Sequence, residues 1–205
     1  MKRALWAASF VLALTGAAAA QDVKKPQPLV MFTHGSTINL FTGAATATAP
    51  SMTAAIGGAG VGWELTPRFA LEGSGQWLDW NSNRHGFAAS LAAQAGFAGG
   101  RTFMPFVTGG VGLYHVEFDQ PGLGMPGFYA RRMTTGSRTG TIASFTDPTV
   151  ILGGGVNTFV SRHWALRPEV QETAVVRDAR SYWMTVFAFH VAYHFEEHPI
   201  TPRAR

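Results

Sequence analysis

Gly60-Val-Gly-Trp-Glu-Leu-Thr-Pro-Arg-Phe-Ala-Leu-Glu72 and Gly155-Val-Asn-Thr-Phe-Val-Ser-Arg-His-Trp-Ala-Leu-Arg167 align without a gap. In each, apolar residues alternate with small or polar ones, a short polar turn intervenes, and alternation resumes on an aromatic. Side chains of a strand alternate faces with period two, so this is one β-hairpin written twice. One column of each hairpin is too apolar for a solvated sheet. It suits a sheet closed on itself, with lipid outside and polar side chains within.

Turn length tests the register. With Thr66-Pro67-Arg68 as the turn, Leu65 faces Phe69 and Trp63 faces Leu71 on the apolar face, while Gly62 faces Glu72 on the other. A two-residue turn would set Leu65 against Ala70, and a one-residue slip mixes the columns. Ser161-Arg162-His163 gives the same answer: Val160 with Trp164, Thr158 with Leu166, Asn157 with Arg167.

Working outward, alternation places strands near Leu29–Leu40, Ala54–Leu65, Phe69–Trp80, His85–Ala98, Met104–Phe118, Pro148–Val160, Trp164–Arg177 and Tyr182–Phe195. Each is long enough to cross hydrocarbon when tilted. The reading is all-β: an eight-stranded antiparallel up-and-down transmembrane barrel. Thr66–Arg68, Gly99–Phe103 and Ser161–His163 are short connections, as on a periplasmic side; Phe41–Thr53 and Asp119–Asp147 are long, as on an outer side. Phe69, Trp164, Tyr193 and Phe195 are expected to form an aromatic girdle at one rim, and Trp77, Trp80 and Trp183 towards the other. Glycine runs such as Gly57-Gly58 and Gly153-Gly154-Gly155 relieve crowding at the axis and permit curvature. None satisfies a phosphate-binding glycine pattern.

Met1-Lys2-Arg3, the apolar stretch Ala4 to Gly16 and the small run Ala17–Ala20 have the order of a secretory signal cleaved after Ala20. The apolar stretch is short of the ~20 residues a membrane-spanning helix needs. The expected organisation is a signal peptide over 1–20, a barrel domain over 21–195 and a short periplasmic extension over 196–205. A formal charge of +4 on 205 residues, with dispersed arginines, argues against nucleic acid as a partner. The chain has no cysteine, which excludes disulfides, thiolate catalysis, cysteine-ligated zinc and a lipidated cysteine at the amino terminus. No cofactor or metal is expected.

Pro105-Phe-Val-Thr-Gly-Gly-Val-Gly-Leu-Tyr114, Leu152-Gly-Gly-Gly-Val156, Leu166-Arg-Pro-Glu-Val170 and the closing Phe187-Ala-Phe-His-Val-Ala-Tyr-His-Phe195 resemble the small OmpA/OmpX-like outer-membrane barrels that lack a peptidoglycan-binding domain. The last of these is similar to the terminal signal read by the barrel-assembly machinery. Glu196–Arg205 departs from that pattern by continuing past the aromatic residue. The resemblance implies a Gram-negative-type outer membrane, with lipid and lipopolysaccharide as surroundings, but such families include pores, structural proteins, adhesins and a few lipid-modifying enzymes; the expectation for this chain is a monomer with a structural or surface-interaction role without catalysis. Barrel motifs carry no activity of their own. The alternatives are a lipid A-modifying enzyme and a soluble exported barrel holding a small ligand.

Glu72 and Arg167 occupy matching places in the two aligned hairpins, on the third and seventh strands of the ring. They are either an ion pair across the lumen, with Glu64, Gln76, Glu169 and Gln171 completing a polar network, or separately solvated. His34 and Ser36 are the candidates for hydrolytic chemistry, but no acid is identifiable beside them. His190 and His194 lie roughly 13 Å apart on one strand, too far for one metal. Tyr129, Arg131, Arg132 and Arg138 lie in the long connection. They are candidate surface contacts to lipopolysaccharide phosphates, or solvated loop residues.

Overall fold

A computed structural model describes residues 35–48, 51–81, 84–97, 102–118, 129, 143–177 and 180–196. The expected signal peptide, His34, Arg131, Arg132, Arg138 and the extension beyond Glu196 lie outside these residues. The strands are β1 (Gly35–Thr48), β2 (Ser51–Thr66), β3 (Phe69–Asn81), β4 (Arg84–Gly96), β5 (Phe103–Phe118), β6 (Ala143–Phe159), β7 (Trp164–Arg177) and β8 (Arg180–His194). Each pairs antiparallel with the next, and β1 pairs with β8 from Thr37↔His194 to Ala47↔Met184, closing the barrel. Closure removes both sheet edges, so no row of backbone N–H and C=O groups is left to lipid. The β2–β3, β4–β5 and β6–β7 turns define a turn end; the long β5–β6 connection leaves from the opposite, loop end.

The hairpin register is as the alternation requires, with Trp63↔Leu71, Gly62↔Glu72 and Thr158↔Leu166. One detail differs. Leu65 does not pair with Phe69, because Thr66 takes that place and the register shifts between Glu64 and Thr66. The Thr66 hydroxyl accepts the backbone N–H groups of Arg68 and Phe69 at 3.2 and 3.0 Å. That local bond tightens the turn, and a bulge at Leu65 absorbs the extra residue so that the columns stay aligned. Ser161, at the equivalent place in the second hairpin, accepts from His163 and Trp164 in the same way.

The first strand is displaced from its expected position. It runs on to Thr48, so Phe41–Thr53 is not a long loop. Thr42-Gly-Ala-Ala-Thr-Ala-Thr48 carries too little hydrophobicity to signal a strand. It must be small, because Ala45 and Ala47 are fully buried beneath large lumen side chains.

The outer wall exposes an apolar band including Leu40, Leu71, Leu91, Val111, Leu152 and Phe189. This is far more contiguous apolar surface than water tolerates, and it matches a lipid-facing barrel exterior. Phe69, Trp164, Phe195, Trp77 and Trp183 are exposed on this wall. Tyr193 packs edge-on against Trp164 at 5.1 Å and Phe195 at 5.3 Å.

Trp80 is a correction. It points into the lumen, is buried, and donates its indole N–H to the Tyr114 hydroxyl at 3.0 Å. Near the loop end the pattern inverts. Asp79, His115, Glu117, Ser144 and Thr146 face out, while Leu78, Trp80, Tyr114, Val116 and Phe118 face in. Apolar-out gives way to apolar-in where a wall leaves hydrocarbon for water, so these strand ends form a soluble-type core above the lipid band.

Candidate functional site

Three layers fill the lumen. Nearest the turn end, His194 on β8 contacts the Glu64 carboxylate on β2 through Nδ1 at 2.7 Å, with Phe159 against its ring. Small residues make the room: a Cβ on Gly62 would collide with the Thr37 hydroxyl. A cavity of about 40 Å³, lined by polar Thr37, Gln94 and Asn157 among others, lies here. That is space for a few waters.

The middle layer is charged. Arg167 crosses from β7 to β3 and donates to both Glu72 oxygens, Nη1 to Oε2 at 2.6 Å and Nη2 to Oε1 at 2.8 Å. This is the bidentate fork at which arginine excels. Gln94 donates to the same Glu72 Oε2 at 3.2 Å. Arg167 Nε lies 3.3 Å from Glu169 Oε2, and Gln171 donates to Glu169 Oε1 at 2.7 Å.

His190 completes the layer. Arg167 Nη2 is 2.7 Å from its Nδ1. A guanidinium only donates, so Nδ1 accepts and the ring proton sits on Nε2, which lies 3.4 Å from Glu169 Oε2 without making a hydrogen bond to it. Asn39 Oδ1 lies 3.2 Å from the same Nδ1. Gln76 lies outside this hydrogen-bonded set and lines a second cavity of about 20 Å³ on the loop side of Glu72. The charged layer therefore divides two small cavities.

The third layer is the apolar cluster at the loop end. Arg84 lies over Trp80 at 4.3 Å and Phe118 at 5.2 Å, and donates to the Tyr182 hydroxyl at 3.2 Å. Tyr129 is also here. It is fully buried rather than a surface contact, stacks on Phe145 at 4.6 Å and donates to Asp147 at 2.7 Å. Arg177 holds the other Asp147 oxygen at 3.2 Å. Burial, and the hydrogen bond to Asp147, push the Tyr129 phenol above its usual range.

A family model for the outer membrane protein beta-barrel domain matches residues 7–195. The chain belongs to this family. Outer-membrane barrels of solved structure share its fold. The N-terminal β-barrel domain of Pseudomonas aeruginosa OprF superposes with a TM-score of 0.53 at 16% identity, covering 80% of this chain and all of that one. Neisserial surface protein A superposes with a TM-score of 0.58 at 10% identity, covering 78% of this chain and 96% of that one. A comparison with curated proteins finds no match.

Among the described residues no group of three or more His, Asp or Glu side chains is placed to hold a metal ion. Ser36 offers its backbone N–H to Glu196. One hydroxyl–imidazole–carboxylate line exists among the described residues, Thr146–His115–Glu117, on the outer rim. Its imidazole and carboxylate are 39% and 52% exposed, so water competes for both. The lumen network holds the charged residues marked by the sequence, and adds Asn39, Gln94, His190 and His194. Their signal was parity: each shares a face with Glu72 or Arg167 across the register.

Proposed function

We propose that the chain is an exported, monomeric outer-membrane barrel with a structural or surface-interaction role and no catalytic activity. The loop end faces outwards and the turns face the periplasm. The barrel-assembly machinery inserts it, and lipid and lipopolysaccharide surround it. The observation that carries this reading is the filled lumen. A charged layer closes the middle, an aromatic cluster closes the loop end, and the remaining cavities are only about 40 and 20 Å³. A barrel so closed offers solutes no route, and eight strands leave little width for one. What varies on such a scaffold is its outer rim and connections.

The test is planar-bilayer recording of the refolded full chain, paired with incubation on labelled lipid A. The expected result is a heat-modifiable, inserted barrel that neither conducts steadily nor alters lipid A. Sustained channels, or loss of an acyl chain that His115→Ala prevents, would replace this reading with a pore or an enzyme.

A further inference from the structure

Two prolines stand inside neighbouring strands and weaken the same seam. Pro148 on β6 and Pro168 on β7 both face outwards. The Val160 N–H donates to the Trp164 carbonyl at 2.9 Å, and hydrogen-bonded pairs alternate along an antiparallel ladder. Outward residues of β6 and β7 therefore bond to each other. Inward residues turn their backbone groups to β5 and β8, as the Phe159 N–H does to the Thr102 carbonyl and the His194 N–H to the His163 carbonyl. The register sets Pro168 opposite Val156 and Pro148 opposite Val176. The N–H that each proline lacks is thus one this seam requires.

Sheets confine such prolines to edges and bulges, and a closed barrel has no edge. The β6–β7 ladder is broken where Pro168 falls. It runs from Thr149↔Val175 to Gly155↔Glu169 and resumes at Thr158↔Leu166, with Val156 and Asn157 left out. The β2–β3 and β3–β4 ladders slip only beside their connections, and the remaining five are continuous. This gap lies in the lipid band, because Pro168 pairs on its other side with Phe189, which is exposed on the outer wall.

Side chains do not brace the gap from within. Gly153 and Gly155 face the lumen on β6, where a Cβ would strike the Val170 and Pro168 carbonyl oxygens. The charged layer ties β7 to β3 and β8 through Arg167, and β3 to β4 through Gln94. Among the described residues it takes no hydrogen bond from β6. The two strands are fastened at their ends instead, by the Arg177–Asp147 ion pair at 3.2 Å and by the Ser161–His163 turn. Asn157 and Arg167, on the two sides of the gap, both line the cavity of about 40 Å³.

We propose that the β6–β7 seam is a lateral gate. The strands part between Gly154 and Thr158 and open the cavity beside Asn157 towards the acyl chains, while the other seams stay paired. The charged layer is untouched, so no axial pore results. This goes beyond the structural role above and rests on the barrel lying in a membrane.

Amide hydrogen exchange, resolved by residue on the full chain refolded in micelles, tests the seam. Val156 and Val170 present their N–H groups to the gap, whereas Gly155, Asn157 and Glu169 present theirs to β5 or β8. The first two should exchange at least about tenfold faster than the other three. Pro168→Val supplies the missing donor and should erase the difference; if it does not refold, Pro168→Ala supplies the same N–H. The gate is tested in phosphatidylcholine vesicles. The chain has no cysteine, so Asn157→Cys creates a single lumen thiol. A maleimide carried on a phospholipid acyl chain should label it, and adding the proline variant should slow labelling by about tenfold. Equal exchange on the two sides of β6, or exchange that the proline variants leave unchanged, overturns the weak seam. No labelling from the lipid, or labelling at one rate in both proteins, overturns the gate. Failure of wild type to insert would sink the membrane reading and the gate together.

Discussion

Arg167 and Glu72 are locked by two short bonds across the lumen, but Arg167 also faces Glu169 and His190. The pair is thus not symmetric. Arg167→Met leaves two buried carboxylates without their cation, whereas Glu72→Gln leaves Arg167 with Glu169. Removing one partner of a buried pair costs ~3–5 kcal/mol, and the arginine variant should fall at the upper end. Because the groups act together, the double variant should lose less than the sum of the singles. Exchanging the two charges should rescue stability only in part, since a carboxylate at 167 would oppose Glu169. Urea-unfolding midpoints of the four proteins in detergent micelles measure this; strict additivity would show that the pair is uncoupled.

Two glycines of β2, five residues apart, should respond oppositely. A Cβ on Gly57 meets nothing within 4 Å, because it points out of the wall. Gly57→Ala should be neutral or stabilise by ~0.4–1 kcal/mol through the unfolded chain. A Cβ on Gly62 meets the Thr37 hydroxyl in the lumen, and overpacking of that kind costs ~1–3 kcal/mol. Adding Thr37→Ala to Gly62→Ala should recover most of the loss, because the next nearest atom, the Leu71 carbonyl oxygen, is 3.5 Å away. Refolding yield and unfolding midpoint check both halves.

What the sequence made legible was the part governed by lipid. Wherever one column must face hydrocarbon, the apolar alternation is strong, and the three-residue spacing of Thr66–Arg68 and Ser161–His163 set the columns correctly. Where the wall leaves the lipid the rule reverses, which is why Trp80 read as girdle and is core. By parity Trp80 shares a face with Glu72 and Gln76, so its position was available to a strict count. Thr42–Thr48 failed for a different reason: its size is dictated by neighbours on other strands, and local composition records nothing of them. In the same way the sequence marks Glu72 and Arg167 as facing walls. It does not disclose that Asn39, Gln94 and His190 converge on them, since those contacts depend on how closed rows stagger.

Tyr129 is buried in the loop end, and its bond to Asp147 is sensitive to alkali. Burial, and the hydrogen bond to Asp147, hold the neutral phenol in the folded state, so its folded pKa lies above the ordinary tyrosine range. A group with a raised folded pKa contributes stability below its unfolded pKa and loses it as pH rises from there towards the folded value. The connection should therefore be protected at neutral pH and become progressively cleavable above about pH 10. Tyr129→Phe leaves Asp147 with Arg177 alone, should loosen the connection at neutral pH, and should remove this alkaline component. Limited proteolysis across pH measures both, and an identical pH profile in the two proteins would refute the anchor.

Trp80 gives the sharpest check on the inversion of the wall. Trp77 and Trp183 are outside, 53% and 47% exposed, whereas Trp80 is 4% exposed and bonded to Tyr114. Bromine on lipid acyl chains quenches tryptophan on contact, so single-tryptophan variants separate the two faces. Those retaining Trp77 or Trp183 should be strongly quenched in vesicles of brominated lipid, and the one retaining Trp80 should be nearly unaffected. Trp80→Phe should also cost ~0.5–1.5 kcal/mol by removing the indole donor from the buried Tyr114 hydroxyl, which keeps Arg84, a loss that Trp77→Phe does not share. Equal quenching of Trp77 and Trp80 would mean that β3 presents both to lipid. The soluble-type core above the membrane would then not exist.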